Sequence, residues 1–285
     1  MTTTVDHSAW QIIELRLGSV VCRVAPGLGG ALLSLTIDGA QILRPAQDSP
    51  AVAADTACFA LIPFANRIAG GRFLFAGRAV TLPTDPAAPP HALHGHGWRA
   101  RWDVAARSPS TLELTYLHPA GAWPWTYRAF QRLTVQRDGL AIEMAVENLS
   151  DDPMPCGFGL HPYFALEPES YIEVSARARL LPDRQGIPNI ASACSGSRRD
   201  LATLPPSDEL LLDVSGRARI GSADWEIEIR AEEAIGWQFY LPSERDFFCL
   251  EPVSHRPDSF NRDEPLDAIS PGECRRWPVS LRRTR

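Results

Sequence analysis

Short runs of alternating apolar and polar residues recur along the chain, each closed by turn-forming residues. They cover residues 11–17, 19–25, 31–37, 72–82, 112–117, 128–136 and 140–147, and later 171–181, 217–230, 237–241, 247–251 and 275–281. A period of two puts successive side chains on opposite faces, so each run predicts a β-strand. Asp38-Gly39, Ala76-Gly77 and Asp138-Gly139 predict tight hairpins in which Gly supplies the positive φ. Hardly any segment follows a 3.6-residue period, and the 25 prolines fall mostly between the runs, where they interrupt helices. The pattern predicts an all-β, antiparallel protein. No repeat, charge block or low-complexity linker marks a boundary, so residues 1–285 are expected to form one domain, with two large sheets face to face.

Composition narrows the functions. At 285 residues and 45% hydrophobic content the chain can bury a substantial core. A net charge of -6 argues against nucleic acid or an anionic membrane as the partner, and no run of ~18 apolar residues is present to span a bilayer. The chain contains no lysine; all 28 basic residues are Arg. That removes Schiff-base chemistry, pyridoxal phosphate anchoring and the lysine of a phosphate-binding loop. Gly27-Leu28-Gly29-Gly30 does not complete a dinucleotide fingerprint. Cys22, Cys58, Cys156, Cys194, Cys249 and Cys274 are scattered, without a Cys-x-x-Cys pair, and no N-terminal apolar stretch resembles a signal peptide. Reduced thiols in a cytoplasmic protein are the expectation.

The densest chemistry lies at Pro89-Pro90-His91-Ala92-Leu93-His94-Gly95-His96-Gly97-Trp98. Three imidazoles between glycines bring groups that titrate near neutrality to one spot, where Gly permits close approach. On a strand, His94 and His96 would share one face with Cβ atoms roughly 6–7 Å apart, a spacing that also suits a metal. A carboxylate would be wanted three or four positions later, but Arg99 and Ala100 stand there. No metal and no cofactor are expected; proton transfer is.

Four ordered segments together resemble the aldose 1-epimerase (galactose mutarotase) family: Asn66-Arg67-Ile68-Ala69-Gly70-Gly71-Arg72-Phe73, Leu93-His94-Gly95, Gly159-Leu160-His161-Pro162-Tyr163-Phe164 and Pro271-Gly272-Glu273. The resemblance implies a β-supersandwich and interconversion of the α and β anomers of a free aldose. By that resemblance Glu273 is the base on the C1 hydroxyl and His161 the acid on the ring oxygen, while His94 and Arg67, with Asn66, hold and polarise the sugar. The family's Leu-His-Gly-Gly run is Leu93-His94-Gly95-His96 here, which leaves the place of His96 open. Asp213, in Leu212-Asp213-Val214-Ser215-Gly216, is the nearest match to a family Asp that binds sugar hydroxyls. Residues 249–261, from Cys249 to Asn261, look like a bacterial subgroup signature. Their Glu, His, Asp and Asn side chains, Glu251 among them, could line a polar pocket wall, or the segment could cap the sandwich as an ordered loop.

Opening a hemiacetal needs one group to accept a proton from O1 and another to give one to O5, so the residue types suit the reaction without a cofactor. The expected partner is a small-molecule aldose, with no nucleic acid and no membrane, and the chain a monomer or homodimer. A non-catalytic carbohydrate-binding module, a mutarotase for a phosphorylated hexose, and a glycoside hydrolase using Glu251 and Glu273 are the alternatives.

Overall fold

The computed structural model describes residues 11–47, 50–194, 198–244, 246–262 and 266–285, leaving aside the side chains of Asp213 and Val214. Among these residues there is no α-helix. Eighteen strands join in one hydrogen-bonded network and three two-stranded ribbons stand beside it. All pairing between the named strands is antiparallel, in accord with the alternation in the sequence. The hairpin of Tyr127–Gln136 and Gly139–Asn148 keeps register along its whole length, from Tyr127 opposite Asn148 to Gln136 opposite Gly139. Its outer neighbours are Thr111–His118 on one side and Cys274–Arg283 on the other.

The hairpin chemistry is as expected at two positions and different at the third. Asp38 and Gly39, like Ala76 and Gly77, all have positive φ, as a two-residue turn with the twist of its strands requires. Gly139 instead is the first residue of its strand, and the turn is Arg137-Asp138. A Cβ on Gly139 would lie 1.9 Å from the carbonyl oxygen of Leu281, so this glycine serves close backbone approach.

A continuous apolar core takes in residues from Ile13 to Leu281, including Trp102, Trp123, Trp125, Trp237 and Trp277. A smaller cluster, with Phe59, Leu61, Trp98, Tyr163, Leu210, Cys249 and Val253, lies on the opposite side of the central strands. This division follows the strand period. In Gly159–Ala165, Leu160 and Phe164 face the large core while His161 and Tyr163 face the small one. In Phe247–Val253, Phe248 and Leu250 face the large core, and Cys249 and Val253 the other side.

Both strands are buried on both faces, which is why the first shows no alternation in the sequence and the second only part of its length. Cys58–Leu61, also fully buried, is likewise absent from the runs predicted above. These strands form the floor on which polar side chains collect. No helix among the described residues is long and apolar enough to cross a membrane.

Candidate active site

Strand register assembles the floor. Phe59 lies opposite His161. Gly159 opposite Val253 and Tyr163 opposite Cys249 bracket His161 and Glu251 as cross-strand partners. Glu251 in turn lies opposite Gln238, and Gln238 opposite Leu210. One row across adjacent strands therefore carries Phe59, His161, Glu251 and Gln238 on the same face. His161 Nε2 stands 3.3 Å from Glu251 Oε1, and the Phe59 and Tyr163 rings each pack against the imidazole at 4.7 Å.

The remaining groups come from loops. Arg67 begins a two-residue strand paired with Ala92–Leu93, which places it beside His94. Its Nη1 donates to the Gly186 carbonyl at 2.8 Å and to Asp208 Oδ2 at 3.3 Å. Asp208 Oδ1 also accepts from Gln238 Nε2 at 2.6 Å. His94 meets His161 edge to face at 5.5 Å and Trp98 at 5.9 Å. Its Nδ1 accepts the backbone N–H of Asn66 at 3.0 Å, which fixes the ring proton on Nε2 and makes that nitrogen a donor.

Burial sets the protonation states. It pushes His161 down to about 3, with the charge of Arg44 adding to the effect. His94 is held well below the ordinary imidazole value by burial and then by His161, Arg67 and Arg99. The Glu251 carboxyl is raised well above the usual range by burial, Asp208 adding and Arg67 opposing. Burial also raises Asp208, against Arg67 and Gln238. A low imidazole beside a high carboxyl means that His161 and Glu251 hold one proton between them over a wide pH range.

A buried acid–base pair, an imidazole and a guanidinium donor, and packed aromatic rings form a polar cluster suited to proton transfer on a hydroxylated ligand. Residues 11–282 match the family model described as aldose 1-epimerase. The chain belongs to the aldose 1-epimerase family. Its sequence is 33% identical over 273 residues to the YphB protein of Escherichia coli strain K12, covering 89% of this chain and 92% of that one. A second protein of that strain, YihR, is 28% identical over 302 residues, covering 97% and 94%. The crystal structure of a putative aldose 1-epimerase from E. coli K12 superposes with a TM-score of 0.87 at 31% identity, covering 96% of this chain and 98% of that chain. A GalM/aldose epimerase homologue from C. elegans shares the fold at a TM-score of 0.83 and 18% identity, over 97% and 99% of the two chains. The β-supersandwich expected from the motifs is thereby shown, and the chain is an enzyme of an isomerase family whose ligand is a sugar.

In this member of the family the expected site residues divide. His94, His161, Arg67 and Glu251 come together. Asn66 contributes by shaping the loop: its φ of 59° turns the chain, its N–H anchors His94, and its Oδ1 accepts the Arg67 N–H at 2.8 Å. Glu273 does not join them. It sits exposed in the turn before Cys274–Arg283, where its carboxylate accepts the Ser270 N–H at 2.8 Å. The Pro-Gly-Glu motif is a strand-entry turn, and the carboxylate beside His161 is Glu251. Asp213 is paired with Ala176 in its strand, with its side chain outside the described residues.

His96 is also elsewhere. His94 and Gly95 both have positive φ, so the backbone turns and no strand places His94 and His96 on one face. His96 stacks on His118 at 4.2 Å, puts Nδ1 3.3 Å from the Tyr127 hydroxyl, and lines a separate cavity of ≈ 280 Å³ with Arg99 and Tyr116. His91 is structural: Nδ1 accepts the Gly70 N–H and Nε2 meets the Gln185 carbonyl. The 249–261 segment serves both expected uses. Glu251 meets His161, while His255 accepts the Ala65 N–H and Asp258 the Ala69 N–H, strapping down the Arg67 loop. Asp208 and Gln238 were not anticipated. Gln238 carried the same signal as Glu251, a polar residue inside an apolar strand, whereas Asp208 is hidden in the turn-like Pro205-Pro206-Ser207-Asp208.

Proposed function

We propose that this protein catalyses exchange between the α and β anomers of a free, neutral hexose or pentose in the cytoplasm. His161 and Glu251 are its acid–base pair, with His94 and Arg67 as donors to the sugar. The observation that carries the reading is the cross-strand contact of His161 with Glu251, both buried. Glu251 takes the O1 proton as C1=O1 forms, the C1–O5 bond breaks, and His161 gives its proton to O5. At rest burial keeps the shared proton on Glu251; its passage to His161 across their contact readies the pair as imidazolium and carboxylate, and ring opening returns it to imidazole and carboxylic acid. One proton is held throughout, so nothing need enter from solvent. Rotation about C1–C2 and the reverse transfers close the ring on the other face.

A module that only bound sugar would have no use for a buried acid beside a buried base, whose desolvation is costly. Arg67 and Asp208 neutralise one another at the rim, which favours an uncharged ligand. The test is exchange of single pure anomers across a panel of free and phosphorylated aldoses, followed by anomeric proton signals. Acceleration of a neutral aldose supports the reading; no acceleration with any sugar by folded protein contradicts it. Because the active pair holds one proton, the rate should be flat through the ordinary imidazole value near 6.5. An inflection there would show that His161 titrates freely.

A further inference from the structure

Cys249 has no part in the proposed anomer exchange, yet it stands beside the groups that do. Register puts it on the face of Glu251, two residues earlier in the same strand and opposite Tyr163. Its Sγ, a His161 ring nitrogen and a Glu251 carboxylate oxygen all lie within 4.8 Å of one another, and all three residues are buried. We propose that His161, Cys249 and Glu251 form a binding site for a thiophilic divalent cation of the zinc class, and that its occupancy stops anomer exchange by engaging the acid–base pair as ligands. The inhibitory half rests on the function proposed above; the binding half does not.

Sulfur, imidazole nitrogen and carboxylate oxygen are the donors zinc takes in tetrahedral sites, whereas magnesium prefers oxygen alone. The 3.3 Å from His161 Nε2 to Glu251 Oε1 is close to the edge of a tetrahedron with bonds of ~2.1 Å. Bringing Sγ to its own bond length of ~2.3 Å asks for a movement of about 1 Å, within reach of a side-chain rotation. The ligands project from two adjacent strands, so their spacing is set by the sheet. Three protein ligands leave the fourth position for water or a sugar hydroxyl. Burial keeps the free thiol protonated, and coordination would release that proton. A buried cysteine is ordinarily a small apolar filler, which accounts for its burial but not for its place beside this pair.

The experiment is titration of chelator-treated protein with Co²⁺, reading the tetrahedral visible bands and the thiolate-to-cobalt absorption, followed by competition with Zn²⁺ and with Mg²⁺. One equivalent of Co²⁺ should develop both signals, Zn²⁺ should abolish them, and Mg²⁺ should not. Cys249→Ser should lose the thiolate absorption and bind Zn²⁺ at least about 100-fold more weakly, since even outer partners of a metal site are worth up to that. Replacing the exposed Cys274 by Ser should change neither. If Cys249→Ser does not fold, Glu251→Gln should keep the thiolate absorption but lose Zn²⁺ affinity to a similar degree. Absence of thiolate absorption in folded wild-type protein, or its persistence in Cys249→Ser, overturns the site. Exchange assayed over the same Zn²⁺ series should fall with the binding curve. Zinc that binds without slowing exchange overturns the inhibitory half. Cobalt binding in a protein with no exchange activity at all would refute the mutarotase reading and leave the site standing.

Discussion

His94 and His96 stand two residues apart and belong to different chemistries. His94 faces His161, and Arg67 acts on it electrostatically; its proton is fixed by a backbone N–H from Asn66. His96 lies among rings, stacked on His118 at 4.2 Å with its Nδ1 3.3 Å from the Tyr127 hydroxyl, and no carboxylate is among its described contacts. Burial depresses both imidazoles. What separates them is the company of groups that can carry charge. A clustered set of histidines therefore marks a place in the chain, while the strands opposite decide which of them meets an acid.

The comparison breaks first at the chemistry. His161→Asn should slow anomer exchange by about 10²–10⁴-fold, the worth of one positioned acid or base, while His96→Asn should leave it within a few-fold. Equal losses would put both rings in one site. Next comes the residue that parts them. A Cβ at Gly95 would lie 2.3 Å from the Ile62 carbonyl oxygen, at a φ of 68°. Gly95→Ala should cost on the order of 3 kcal/mol in denaturant unfolding, and a neutral result would mean that the turn is not required.

The smallest effect sharpens the structural side. Burial, with the charge of His118 adding, holds His96 at about 3, below its unfolded value near 6.5. The folded state thus resists a proton that the unfolded state accepts. Stability from this group is complete above 6.5 and is lost as pH falls from there toward 3. His96→Asn should flatten the stability profile over the upper part of that window, by up to ~1.4 kcal/mol per pH unit. His255, held at about 4 by burial, should keep its own share of the slope. A profile that His96→Asn leaves unchanged would show that His96 is open to water.

Much of the fold was legible because one face of most strands meets water. The Tyr127–Gln136 and Gly139–Asn148 hairpin mostly alternates buried and half-buried positions and was read to within a residue at each end. Cys58–Leu61 and Gly159–Ala165 were not read as strands, because burial on both faces erases the period. These are the strands that hold Phe59 and His161, so the site sat where the pattern was weakest. Motif order singled out His161, His94 and Arg67, which the fold brings together. Motif order also singled out Glu273, but the fold leaves that carboxylate in an exposed Pro-Gly-Glu turn, bonded to the Ser270 N–H and away from His161. Glu251 had the better physical signal, a charged residue within the apolar Phe247–Val253 strand, where a partner is obligatory.

That choice between two glutamates is the account's central claim, and anomer exchange measured side by side on Glu251→Gln and Glu273→Gln tests it most directly. The account predicts a loss of about 10²–10⁴-fold for Glu251→Gln and a wild-type rate for Glu273→Gln, both proteins remaining folded. A wild-type rate in Glu251→Gln, or a comparable loss in Glu273→Gln, would contradict it.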